Sequence, residues 1–210
     1  EIGLGIPAEP LFRSWHIEEI KAGMDYFPLL DGKVGKNVRL GIRNAKGKKM
    51  EVTVKAISQG KLNNLLYKRW VDRNRAFVDS ISGGRIAYVH VKAMNSESFR
   101  TVYSELLSDK NRNRDAVIVD ERHNGGGWLH DDLCTLLNGK QYQEFVPHGK
   151  VVGRDPFNKW VKPSCVMICE NDYSNGHGFP WVYKELGIGK LIGAPVAGTM
   201  TAVWWETLMD

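Results

Sequence analysis

Apolar and polar positions alternate along Asn37-Val-Arg-Leu-Gly-Ile-Arg, the first segment with a clear period. A period of two marks a half-buried strand. The turn-rich stretch Asn44-Ala-Lys-Gly-Lys and the run Glu51-Val-Thr-Val-Lys-Ala-Ile predict a hairpin and its returning strand. The period then changes. Over residues 61–79, Leu62, Leu65, Leu66, Trp70 and Phe77 fall near one helical face, and Lys68, Asp72, Arg73 and Arg75 populate the other. Gly83-Gly84 ends that helix. Upstream, Phe27-Pro-Leu-Leu is a short helical turn, and the first 25 or so residues, interrupted by Pro7 and Pro10, carry no readable period.

From residue 85 strands and helices alternate. Arg85-Ile-Ala-Tyr-Val-His-Val predicts a strand, and Ser96 to Ser108 a helix carrying Phe99, Val102, Tyr103 and Leu106. Ala116-Val-Ile-Val-Asp is a continuous apolar run, as in a strand covered on both faces. Gly125-Gly-Gly leads into a helix with Leu129, Leu133, Leu136 and Leu137. Ser164-Cys-Val-Met-Ile-Cys is a second buried strand, followed by a helix through Phe179, Val182, Tyr183 and Leu186. Lys190-Leu-Ile-Gly and Ala202-Val-Trp-Trp are late strands. This order predicts an α/β core of βαβ units behind a small β unit, with the boundary between residues 56 and 84.

Composition narrows the function. The 210 residues allow one core and an appendage. A formal charge of +5 without a dense Lys/Arg block argues against nucleic acid. No apolar run reaches the ~18 residues of a membrane span. Three cysteines exclude a disulfide framework, since Cys165 and Cys169 on one strand are ~13 Å apart and Cys134 lies in a helix. Three buried thiols predict a cytoplasmic rather than a periplasmic setting. The charge runs Arg112-Asn-Arg-Asp and Lys46-Gly-Lys-Lys read as solvated turns.

Two corners carry candidate chemistry. Asp120-Glu-Arg-His-Asn-Gly-Gly-Gly-Trp joins a buried strand to a helix, where consecutive glycines are either a permissive turn or a set of exposed N–H groups suited to an anion. The spacing is neither a dinucleotide fingerprint nor a phosphate-binding P-loop. Asp172-Tyr-Ser-Asn-Gly-His-Gly-Phe-Pro is a second such corner, in which Ser174 is either an N-cap or a nucleophile at a helix N-terminus. Both lie at the strand C-terminal edge, where open α/β sheets bind ligands. A serine nucleophile needs a base, and spacing alone does not choose among His90, His123 and His177. A metal site from His123, His130, Asp131 and Asp132 lacks any HExxH or paired Cys/His spacing, so no metal and no cofactor is expected.

From Gly83 to Glu206 the chain resembles the catalytic core of the S41 serine peptidases, the C-terminal-processing and tricorn protease group, tricorn-like members above all. Gly83-Gly-Arg-Ile-Ala-Tyr-Val-His-Val, Val117-Ile-Val-Asp-Glu-Arg-His-Asn-Gly-Gly-Gly and Asn171 through Phe179-Pro carry the likeness, with Leu186-Gly-Ile-Gly-Lys-Leu-Ile-Gly and Gly198-Thr behind them. Leu29-Leu-Asp-Gly-Lys-Val-Gly-Lys-Asn-Val resembles the second half of a PDZ-like domain, and Leu65 to Asp79 its connecting helix. The resemblance implies a ClpP/crotonase-like α/β core over 83–210, C-terminally incomplete, after a partial PDZ-like unit over 1–56 and a linker helix over 57–82. It implies Ser174 as nucleophile, His90 as general base, and an oxyanion hole from the backbone N–H groups of Gly127 or Gly126 and of Asn175. Peptides or unfolded proteins are the implied substrates, and assembly into a homo-oligomer is expected.

Some positions depart from the family pattern. Val89 stands where tricorn-like enzymes have a serine before the base, Asn175 replaces an acidic residue, and Thr199 occupies the position of the processing branch's lysine. The glutamate that orients the histidine falls beyond Asp210, so the chain reads as a piece of a larger protein. These departures define a second hypothesis, a degenerate peptidase core that binds peptides without cutting them. A thioester-processing enzyme of related fold is a third, but no Lys/Arg-rich patch for a CoA phosphate lies near the glycine loop.

Overall fold

The structure is a computed structural model describing residues 13–15 (backbone), 20, 23–44, 46–200 and 206–209. The expected strand Ala202-Val-Trp-Trp and the stretch before Arg13 lie outside the described residues. Two compact units partition the chain, Glu1–Trp70 and Val71–Asp210.

In the first unit, β1 (Arg13–Trp15), β2 (Asn37–Arg43) and β3 (Lys49–Lys55) form an antiparallel sheet in the order β1-β2-β3. The predicted hairpin turn forms because the Asn44 side chain accepts N–H bonds from Lys46 and Lys48, both at 3.0 Å, and Gly47 takes a φ of 78° that closes the turn. Val38, Leu40, Val52 and Val54 lie on the partly covered positions of the alternation, and the intervening Lys and Arg are exposed. Helix α1 (Gln59–Ile81) carries the chain into the second unit.

The second unit holds a four-stranded parallel sheet of β4 (Ile86–His90), β5 (Ala116–Asp120), β8 (Ser164–Ile168) and β9 (Lys190–Gly193), in that order. Connections run through α2 (Ser96–Leu106) with the one-turn α3 (Asp109–Arg112), then α4 (His130–Leu137) with the hairpin β6–β7 (Gln143–Phe145, Gly153–Asp155), then α5 (Asn175–Glu185). Parallel pairing obliges every strand to leave at the same edge, so the loops after β4, β5 and β8 share one side of the sheet. Val89, Val119 and Val166 are fully buried and pack with Leu106, Leu133, Phe179 and Tyr183 from the helices. Tyr88 is buried as well, and its hydroxyl accepts a bond from Asn74 of α1 at 3.2 Å and donates to Asp120 at 2.6 Å. Consecutive burial at 87–89 is why this strand shows no alternation.

Arg112-Asn-Arg-Asp is not a solvated turn. Arg112 stacks 3.7 Å over the Phe157 ring and bonds the Leu107 carbonyl, while Arg114 is buried and donates to the Gly84 and Ile86 carbonyls at 3.0 and 2.8 Å. A guanidinium has donors enough to satisfy carbonyls at the head of β4 while its stem stays covered, which charge patterning does not reveal. Cys134 and Cys169 are buried as expected, whereas Cys165 is only partly so, and all three thiols are free. Among the described residues no helix is long and apolar enough to cross a membrane.

Leu133 anchors α4, and therefore the glycine loop before it, in the core. Leu133→Ala should cost about 2–5 kcal/mol, seen as a lower urea midpoint at unchanged m-value.

Candidate active site

The glycine corner is shaped by close approach rather than by turn geometry alone. Gly126 and Gly127 have φ of 92° and 133°. A Cβ on Gly126 would stand 2.6 Å from the Ser174 Cβ, and one on Gly127 would stand 2.1 Å from the Met94 carbonyl oxygen. Gly125 meets nothing and is the permissive member of the three. Met94 donates to the Gly126 carbonyl at 3.0 Å and accepts from Trp128 N–H at 2.7 Å, a short parallel bridge that sets the loop beside the segment after β4. Asn124, fully buried, laces the three loops together. Its amide donates to the Val91 carbonyl at 2.9 Å and accepts from Gly126 N–H at 2.8 Å, its carbonyl accepts from Tyr173 N–H, and its own N–H donates to Asp172.

Ser174 occupies the N-cap position of α5 but makes no side-chain cap bond. Its φ of 52° and ψ of −119° are costly for a residue with a Cβ, about 1–3 kcal/mol, and such strain persists only where packing imposes it. The capping alternative is thereby removed, and the hydroxyl is left unspent by the helix.

Two of the N–H groups around this serine already have partners. Ser174 N–H donates to Thr199 Oγ1 at 3.2 Å, and Gly126 N–H donates to Asn124. Those of Gly127 and Asn175 have no acceptor among the described residues. Of the three expected oxyanion donors, two therefore have a free N–H and Gly126 instead provides the close contact.

His90 ends β4, paired in register with Asp120. It is buried, and its Nε2 lies 3.2 Å from the Arg122 carbonyl oxygen, so Nε2 carries the proton. Burial lowers its pKa below the ordinary 6.5, against the opposing pull of the Asp120 carboxylate. Burial alone would raise Asp120, yet hydrogen bonds from Arg122 and Tyr88 hold it below its ordinary value. His177 is turned elsewhere, with Nδ1 accepting from Met200 N–H at 3.1 Å. His123, at a φ of 68°, sits 3.9 Å from Cys169 Sγ and 3.4 Å from the Asn171 amide.

Two features escaped sequence reasoning. One is the role of the Asn175 side chain, which is buried and accepts from Leu129 N–H at the start of α4. The other is Glu121, fully buried behind the loop with neither carboxylate oxygen hydrogen-bonded among the described residues. Desolvation, reinforced by Asp172 and Asp120, pushes Glu121 well above 4.5. Only the odd placement of an acid between Asp120 and the glycines signalled it. No group of three His, Cys, Asp or Glu that could hold a metal occurs among the described residues.

A parallel α/β sheet thus carries, at its C-terminal edge, a strained serine and N–H groups that have no acceptor among the described residues, the edge at which open α/β sheets bind ligands. The profile described as Peptidase family S41 matches residues 85–210, and the chain belongs to that family. It is 27% identical over 188 residues to the tricorn protease of Thermoplasma acidophilum, covering 89% of this chain and 17% of that protein. It is 28% identical over 169 residues to a tricorn protease homolog of Saccharolobus solfataricus, covering 79% and 15%. A crystal structure of the tricorn protease superposes with a TM-score of 0.76 at 26% identity, over 90% of this chain and 18% of that one. The chain thus spans less than a fifth of the relatives it matches.

Gly126→Ala should reduce reaction at Ser174 at least tenfold while the protein still folds, because the new methyl must displace Ser174 or Asn175; labelling rate and circular dichroism together check this. Glu121 holds a proton in the native state that the unfolded chain releases above pH 4.5. Stability therefore falls as pH rises through that window. Relative to wild type, Glu121→Gln should grow more stable between pH 5 and pH 8, as read from urea midpoints.

Proposed function

We propose that this chain is the catalytic core of a serine endopeptidase in which Ser174 is the nucleophile, His90 the general base, and the N–H groups of Gly127 and Asn175 the oxyanion hole. The observation that carries the reading is the strained, uncapped Ser174 beside two N–H groups that are unpaired among the described residues. His90 takes the Ser174 proton as the oxygen attacks a peptide carbonyl carbon. The two N–H groups stabilise the resulting oxyanion, and its collapse breaks the C–N bond, with the proton passing from His90 to the leaving amine. Water then attacks the acyl ester, again giving its proton to His90, and the peptide carboxylate leaves with Ser174 restored.

Peptides or unfolded polypeptides are the substrates in this reading, by analogy with the protease names of the relatives. We read residues 1–56 as PDZ-like, 57–82 as the linker helix and 83–210 as a ClpP/crotonase-like core, and we place the protein in a homo-oligomer. A second reading, a core that binds peptides without cutting them, draws on the buried Val89 where the family has a serine.

A fluorophosphonate should label the chain at Ser174, with labelling lost in Ser174→Ala and reduced at least a hundredfold in His90→Ala. Because burial depresses the His90 pKa, the base form persists below pH 6.5. The labelling rate should therefore hold through pH 6.5 and decline only below it. Peptide binding without labelling would favour the second reading.

A further inference from the structure

The N-terminus of α4 is capped from another helix. Its N-cap residue, Leu129, has no polar side chain, and the Asn175 amide oxygen accepts both Leu129 N–H at 2.8 Å and His130 N–H at 3.1 Å. Two backbone donors fix which end of the amide is oxygen. The amide nitrogen must then donate to His130 Nδ1, at 2.8 Å, so that Nδ1 is bare and the imidazole proton sits on Nε2. The His130 ring stands edge-on to Trp128, with centroids 5.3 Å apart and planes at 82°. Asn175 is 3% exposed, which shields these bonds from competing water.

Position gives this contact its interest. Asn175 carries one of the two oxyanion N–H groups on its own backbone and follows Ser174 directly. Gly127 carries the other and lies just before the capped residues. We propose that the Asn175–His130 pair is a clamp that sets the spacing of the two oxyanion donors, with His130 a positioning residue acting on the reaction through Asn175. The proposal rests on the peptidase reading for its consequence, but the clamp itself is observable without catalysis.

Two measurements test it. Imidazole ¹⁵N spectra of the whole chain should show His130 protonated at Nε2 and bare at Nδ1. In Asn175→Asp the proton should move to Nδ1, because a carboxylate that keeps the helix cap can only accept. In kinetics, His130→Ala should lower kcat and the affinity for a peptide boronate by the same factor, about tenfold to a hundredfold, with KM and the urea midpoint nearly unchanged. His130→Asn should recover most of this loss, since its amide oxygen can take the place of Nδ1. The Asn175→Ala/His130→Ala double variant should be little worse than Asn175→Ala. An Nδ1-protonated His130 in labelling-competent wild type overturns the clamp. A kcat unchanged in His130→Ala, or lost only with the folded fraction, overturns its positioning role. Wild type that fluorophosphonate does not label, with the clamp tautomer present, instead overturns the peptidase reading and leaves the clamp a helix cap only.

Discussion

Everything at this site depends on backbone touching backbone with no side chain between. Gly127 lies against the Met94 carbonyl and Gly126 against Ser174, at separations that a single methyl would forbid. Those two contacts bring the loop after β5 against the segments after β4 and β8. Positive φ is part of the reason for glycine here, but the missing volume is the stricter demand. Once the loops are that close, their polar groups must find partners in one another, and Asn124 satisfies them by bonding to all three segments.

The electrostatics follow from the same compression. Asp120 is buried but fully engaged by Tyr88 and Arg122, so it remains charged beneath His90. Glu121, one residue on, has no such partners among the described residues and is driven toward its neutral form. Neighbouring carboxyl groups thus have opposite fates because one is supplied with donors and the other is not. Burial lowers the His90 pKa, since a wet ring at that position would hold its proton at higher pH.

The parallel core was readable because it needs only apolar runs of strand length separated by helical periods. Ile86–His90, Ala116–Asp120 and Ser164–Ile168 fall where those runs lie. Ser174, His90 and the glycines were legible through a motif resemblance, since spacing alone left His123 and His177 equally eligible. What sequence could not supply was partner choice across long separations. That Gly126 N–H is taken by Asn124, that Ser174 N–H is taken by Thr199, and that Arg114 is covered are facts of three-dimensional neighbourhood. The hairpin within Gln141 to Lys162 was missed for a simpler reason: its strands of three residues are too short to show a period.

The bonds that complete the site join residues far apart along the chain: Leu129 with Asn175, 46 positions on, and Asn124 with Asp172, 48 positions on. Contacts of that span form only after the intervening chain has closed into its sheet. A nascent or partly unfolded molecule therefore has Ser174 and the glycines without the arrangement that joins them. If the peptidase reading holds, reactivity is withheld until the molecule is too folded to serve as its own substrate, a safeguard written into topology.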